Sequence, residues 1–118
     1  MSKTKLLVVV GVLVAALMPV PTSAGDHVIK ATKSRTWNPE FKHVEPGTRI
    51  VWKNPTARVH TVTAYGGGWS KDATLAKNGG KTAKTFKNEG TFKYRCIKHS
   101  TVTAGDCSGM CGVVHVAN

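Results

Sequence analysis

The clearest pattern in the chain is a strict alternation near its middle. Phe92, Tyr94 and Cys96 fall on one side, and Thr91, Lys93 and Arg95 on the other. An apolar/polar period of two is the mark of a half-buried β-strand. The same reading predicts strands over Asp26–Thr32, Phe41–Val44, Arg49–Asn54, His60–Ala64, Lys81–Phe86 and Val113–Val116. Within them Ile50 and Trp52 share one face, as do His60, Val62 and Ala64. Turn chemistry separates the runs: Trp37-Asn38-Pro39 breaks the first, and Glu45-Pro46-Gly47-Thr48 has Pro and Gly where a type II turn wants them. Pro55 to Arg58 and Lys87 to Gly90 read as further connections. Gly66 to Gly80 is the least regular stretch, and Asp72–Lys77 within it is expected to form a short helix ended by Gly79-Gly80. About seven to eight short strands without a long amphipathic helix or a repeat predict an all-β sandwich.

The first 24 residues follow a different pattern. Lys3 and Lys5 precede an apolar run from Leu6 to Met18, and Thr22-Ser23-Ala24 supplies small residues for cleavage. This is the layout of a secretory signal, with an apolar core too short to span a bilayer comfortably. The expected organisation is a signal over 1–24 and one domain over 25–118, exported to the periplasm or beyond the cell. The signal holds two of the 17 Lys and Arg and none of the six Asp and Glu, so the remaining 94 residues carry a net charge of +9. That excess bears on association rates and partners rather than on fold. It suits an acidic protein partner or peripheral contact with an anionic membrane surface. Export argues against nucleic acid.

Three cysteines in an exported chain leave one odd thiol. Cys107 and Cys111 are close enough to pair around Ser108-Gly109-Met110, which leaves Cys96 free and in need of something to hold it, such as a metal. His99 follows Cys96 by three residues, Met110 lies downstream and His60 upstream. A thiolate, two imidazoles and a weak thioether are a donor set for copper, because sulfur favours Cu(I) while imidazole also binds Cu(II).

The segments Val51-Trp52-Lys53-Asn54, His60-Thr61-Val62, Gly90 to Cys96 with His99, and Gly109-Met110-Cys111-Gly112 together resemble the cupredoxins, in particular the plastocyanin, amicyanin and pseudoazurin branch. The resemblance spans nearly all of the chain after the signal. It implies a Greek-key sandwich or barrel and one type 1 copper held by His60, Cys96, His99 and Met110. It also implies a monomeric, non-enzymatic carrier of single electrons between redox proteins, with His99 as the exit. Thr61 stands where the family often uses a side chain to tie the two ligand loops together, and Trp37 where it places a packing aromatic. The chain departs from the pattern in having ten residues between His99 and Met110. Here a Cys107–Cys111 disulfide is expected to stiffen the longer loop so that Met110 still points at the metal; the alternative is that Met110 only packs.

Two other readings use the same residues. Copper storage or delivery needs no change of ligands. A structural zinc module built from Cys96, His99, Cys107 and Cys111 needs three reduced thiols and leaves His60 without a role. His27, His43 and His115 read singly as structural or exposed. If cleavage falls after Ala24, Gly25-Asp26-His27 gains a free amine and becomes a square-planar chelator of Cu(II) or Ni(II).

Overall fold

The computed structural model describes residues 26–118. The segment read as a secretory signal lies outside the described residues. Nine strands follow in order: β1 (Asp26–Ala31), β2 (Trp37–Asn38), β3 (Phe41–Val44), β4 (Thr48–Asn54), β5 (His60–Tyr65), β6 (Asp72–Leu75), β7 (Gly80–Phe86), β8 (Gly90–Thr103) and β9 (Asp106–Val116). They form a four-stranded sheet, β2-β1-β4-β7, and a five-stranded sheet, β3-β9-β8-β5-β6. The β1–β4 and β3–β9 pairs are parallel and the others antiparallel. The predicted all-β sandwich is the observed class, with two strands more than the seven segments identified by alternation.

The inward residues are those the alternation marks. Ile50 and Trp52 from β4, Tyr94 and Cys96 from β8, and Val114 and Val116 from β9 are all fully buried. Trp52 and Tyr94 meet edge to face at 5.3 Å between ring centres, and Trp37 meets Tyr94 at 5.5 Å. Such offset pairs add to the area they bury. The predicted turn at Glu45–Thr48 is present: Gly47 has φ +93° and Thr48 N–H donates to the Glu45 carbonyl at 3.2 Å. Trp69, which the sequence left without a role, donates its Nε1–H to the Lys93 carbonyl and packs against Phe86 and Phe92.

Two expectations are corrected. Asp72–Lys77 is not a helix; its first four residues form β6, paired with β5 from His60↔Leu75 to Thr63↔Asp72. Six residues cannot sustain an isolated helix in water, whereas strand pairing gives the backbone partners at once and buries Leu75 completely. The second correction concerns the long connection after His99. β8 continues to Thr103 and β9 begins at Asp106, so the added residues form a hairpin closed by Ala104-Gly105. Both turn residues have positive φ, 52° and 83°, as a two-residue turn matched to strand twist requires.

Candidate metal centre

The β8–β9 ladder is interrupted at one place. Arg95 pairs with Cys111 on one side and Ser100 with Gly109 on the other. Four residues, Cys96 to His99, therefore stand against Met110 alone. A bulge of this kind bends its strand and re-aims side chains. Here it turns the Cys96 sulfur and the His99 ring toward the same space. His60 reaches that space from the start of β5, whose later residues Thr63 to Tyr65 pair with β8.

The Cys96 Sγ lies 3.7 Å from His60 Nδ1 and 3.5 Å from His99 Nδ1. The three donor atoms all lie within 4.8 Å of one another, and they are the only such group of three or more His, Cys, Asp or Glu donors among the described residues. Bonds of about 2.0–2.3 Å from one ion to nitrogen and sulfur reach across separations of this size. Cys96 and His60 are fully buried, while His99 is half-buried and carries the site to the surface.

Neighbouring hydrogen bonds orient each donor. The Thr61 N–H donates to Cys96 Sγ at 3.3 Å, and the Thr61 hydroxyl accepts from the Ile97 N–H at 3.0 Å. One residue of β5 thus fixes both the sulfur and the start of the bulge, the tie expected of Thr61. Ser100 closes the far end: its hydroxyl donates to the Cys96 carbonyl at 2.5 Å and accepts from Arg95 Nη1–H at 3.1 Å. His60 Nε2 lies 3.1 Å from Thr56 Oγ1, whose own proton is donated at 2.7 Å to Asn54 Oδ1. The Thr56 oxygen is left as an acceptor, so His60 carries its proton on Nε2 and presents an unprotonated Nδ1. The Asn54 Nδ2 group donates to the Arg58, Leu75 and Ala76 carbonyls and so shapes the loop that leads to His60.

Both imidazoles are held below the ordinary histidine pKa of 6.5. Burial is the main cause for His60, followed by His99, Arg58 and Arg35; for His99 it is burial, then Arg35, Arg58 and Lys98. Neutral rings are the metal-binding form.

Met110 is fully buried among the core residues and is the β9 residue that faces the bulge. The glycines beside it have separate reasons. A side chain on Gly109, at φ +100°, would run into the His99 carbonyl, and one on Gly112 into the Tyr94 ring. Cys107 and Cys111 are joined as a disulfide, and Cys96 is the free cysteine among the described residues. This overturns the zinc alternative, because two of its three thiols are already bonded to each other. Thr56 and Ser100 were not singled out from the sequence. The signal for Thr56 was its place two residues after Asn54, where a hydroxyl folds back on a loop; Ser100 offered none.

The donor set chooses among metals. One thiolate and two imidazoles suit copper in both oxidation states, and an all-oxygen ion such as Mg²⁺ or Ca²⁺ finds no oxygen ligands in this group.

No protein-family model and no curated protein matches the chain. Solved structures do. A purple cupredoxin from Nitrosopumilus maritimus superposes with TM-score 0.60 at 19% identity, over 78% of this chain and 100% of that one. A reduced tryptophan-to-tyrosine variant of amicyanin gives 0.63 at 23% identity, over 87% and 89%. The reduced Cu(I) form of a proline-to-glycine variant of amicyanin gives 0.60 at 25% identity, again over 87% and 89%. The chain thus has the cupredoxin fold, and the bulge in β8 and the start of β5 bring together a thiol and two imidazoles that could hold a metal ion.

Proposed function

We propose that the protein is an exported electron carrier with a single type 1 copper that His60, Cys96 and His99 would hold, with the Met110 thioether as a weaker ligand. The observation that carries this reading is the bulge that sets one buried sulfur 3.5–3.7 Å from two imidazole nitrogens. Copper, when bound, supplies the one-electron couple. The chain's part is to keep the donors still and the site dry. Thr61 and Ser100 hold the sulfur segment, and Thr56 holds the His60 tautomer. These hydrogen bonds need not change with oxidation state, so little rearrangement accompanies a change of charge.

The surface around His99 supports a protein partner. Val59, next to His60 in sequence, and Ile97, next to Cys96, are exposed apolar residues. Arg35, Arg58 and Lys98 lie near enough to depress the His99 pKa. A partner with acidic groups around its own redox centre complements that ring, and the encounter is small and short-lived, as redox encounters are. No catalytic role is assigned to the site, and the chain is taken to work as a monomer. Export rests on the signal-like segment 1–24, and storage or delivery of copper is the reading it competes with.

The test is to add Cu(II) to the purified protein and record visible absorption and electron paramagnetic resonance. An intense thiolate-to-copper band with narrow copper hyperfine splitting, and reversible one-electron cycling, are expected. A spectrum without the thiolate band ends the proposal, and a band that cannot be cycled favours storage. Replacing Met110 by Leu is expected to raise the reduction potential; an unchanged potential and spectrum assign Met110 to packing alone.

A further inference from the structure

The sequence gives no reason to connect His43 and His115, which lie 72 positions apart. The fold makes them neighbours. They are directly opposite each other in the parallel β3–β9 pair, so their side chains leave the same face of the sheet from strands about 4.8 Å apart. Their ring centres lie 5.3 Å apart, against 5.0 Å for His60 and His99 in the copper centre. β3 is the edge strand, His43 is exposed and His115 is half-exposed, so an ion can approach from solvent.

Each ring also has one nitrogen engaged and one left over. His43 Nε2 lies 3.3 Å from the Ala117 carbonyl, which can only accept, so the proton is on Nε2 and Nδ1 keeps its lone pair. His115 Nδ1 lies 3.1 Å from Thr91 Oγ1, which leaves Nε2. An imidazole whose other nitrogen is tied to a carbonyl or hydroxyl has the arrangement seen in metal-bound histidines, where that bond fixes ring and tautomer. Phe41 stacks on His115 at 6.2 Å and limits its motion further.

We propose that His43 and His115 form a second, surface metal site that takes a divalent transition ion, Cu(II) before Zn(II). Imidazole suits both ions, and Cu(II) leads the affinity order. No third His, Cys, Asp or Glu donor groups with this pair within 4.8 Å among the described residues, so water completes the coordination. His115 is five residues along β9 from Met110, roughly 16 Å at about 3.3 Å per residue, too far to share an ion with Cys96. The site therefore stands whether or not the electron-carrier reading does.

The test uses the full chain already loaded with one equivalent of copper. Further Cu(II) is added and followed by electron paramagnetic resonance and equilibrium dialysis. One more Cu(II) is expected, with the wide hyperfine splitting of nitrogen and oxygen ligands and no new thiolate band. H43A and H115A should each weaken that second binding at least tenfold, while the first-equivalent spectrum shows that the variants are folded. H27A, which removes the histidine nearest the chain start among those described, should leave it intact. The proposal is overturned if the wild type takes no second Cu(II), if both variants bind it as tightly as the wild type, or if H27A alone abolishes it.

Discussion

His60 and His99 would offer the same atom, Nδ1, to one ion in the proposed centre, yet they are held in opposite ways. His60 is fully buried at the start of a strand, and its second nitrogen is committed to Thr56. His99 is half-buried in a bulge, and among the described residues its second nitrogen has no protein partner. One ligand is thus an anchor fixed by a buried hydrogen-bond chain through Thr56 to Asn54. The other is a contact edge. A carrier needs both: a rigid ligand keeps reorganisation small, and an exposed one brings a partner close.

The sharpest way to break this contrast is to delete each ring. His99→Gly is expected to lose the thiolate-to-copper band and recover it on addition of free imidazole, because the vacated space opens to solvent. His60→Gly is expected to lose the band without rescue, because its space is closed. Equal rescue of both variants, read by visible absorption, would remove the distinction.

Thr56→Val keeps the shape and removes the acceptor that fixes the His60 tautomer. A loss of roughly 10–100-fold in copper affinity is expected, the usual effect of removing such a supporting group. Competition with a calibrated chelator measures it. Ser100→Ala, on the bulge side, should leave the His60 contact untouched and cost less.

Acid should also act on the two rings. Both folded pKa values are lowered from 6.5, so below that pH the unfolded chain binds more protons than the metal-free fold. The stability of the metal-free protein is therefore full above about pH 6.5 and falls as pH drops below it, levelling once the folded rings protonate. Denaturant midpoints at pH 7.5, 6.0 and 5.0 should decrease in that order, and His60→Gln should flatten the trend.

The smallest effect on the centre is expected from the disulfide. Converting Cys107 and Cys111 to Ser opens a loop of five residues and should cost about 2 kcal/mol by the chain-entropy relation. The colour should remain, because neither sulfur touches the Cys96 group. If the band shifts on this change, the hairpin beyond the bulge helps to place Met110.

The contrast between the two histidines was only partly legible in the chain. Candidate donors could be named from it, because few side chains can bind copper and the odd cysteine needed a holder. The stretch of β8 leading into Cys96 was legible too, since the faces its alternation predicts are the ones observed, although the strand runs on to Thr103. Thr56 was not, because a hydroxyl in a polar loop looks like any other until a ring is laid against it.

Local and chemical matters were therefore readable from the residues alone: where most strands run, which of their faces are apolar, and which atoms are able to bind a soft metal. Tertiary structure decided the rest. Asp72–Leu75 became a strand because β5 offered it backbone partners and a buried place for Leu75. Ser100 to Gly109 became two arms of a hairpin because the β8–β9 ladder resumes past the bulge. His43 met His115 because two strands far apart in the chain lie side by side in one sheet. In each case the stabilising partner is distant in sequence, and periodicity within one segment carries no record of what that segment will lie against.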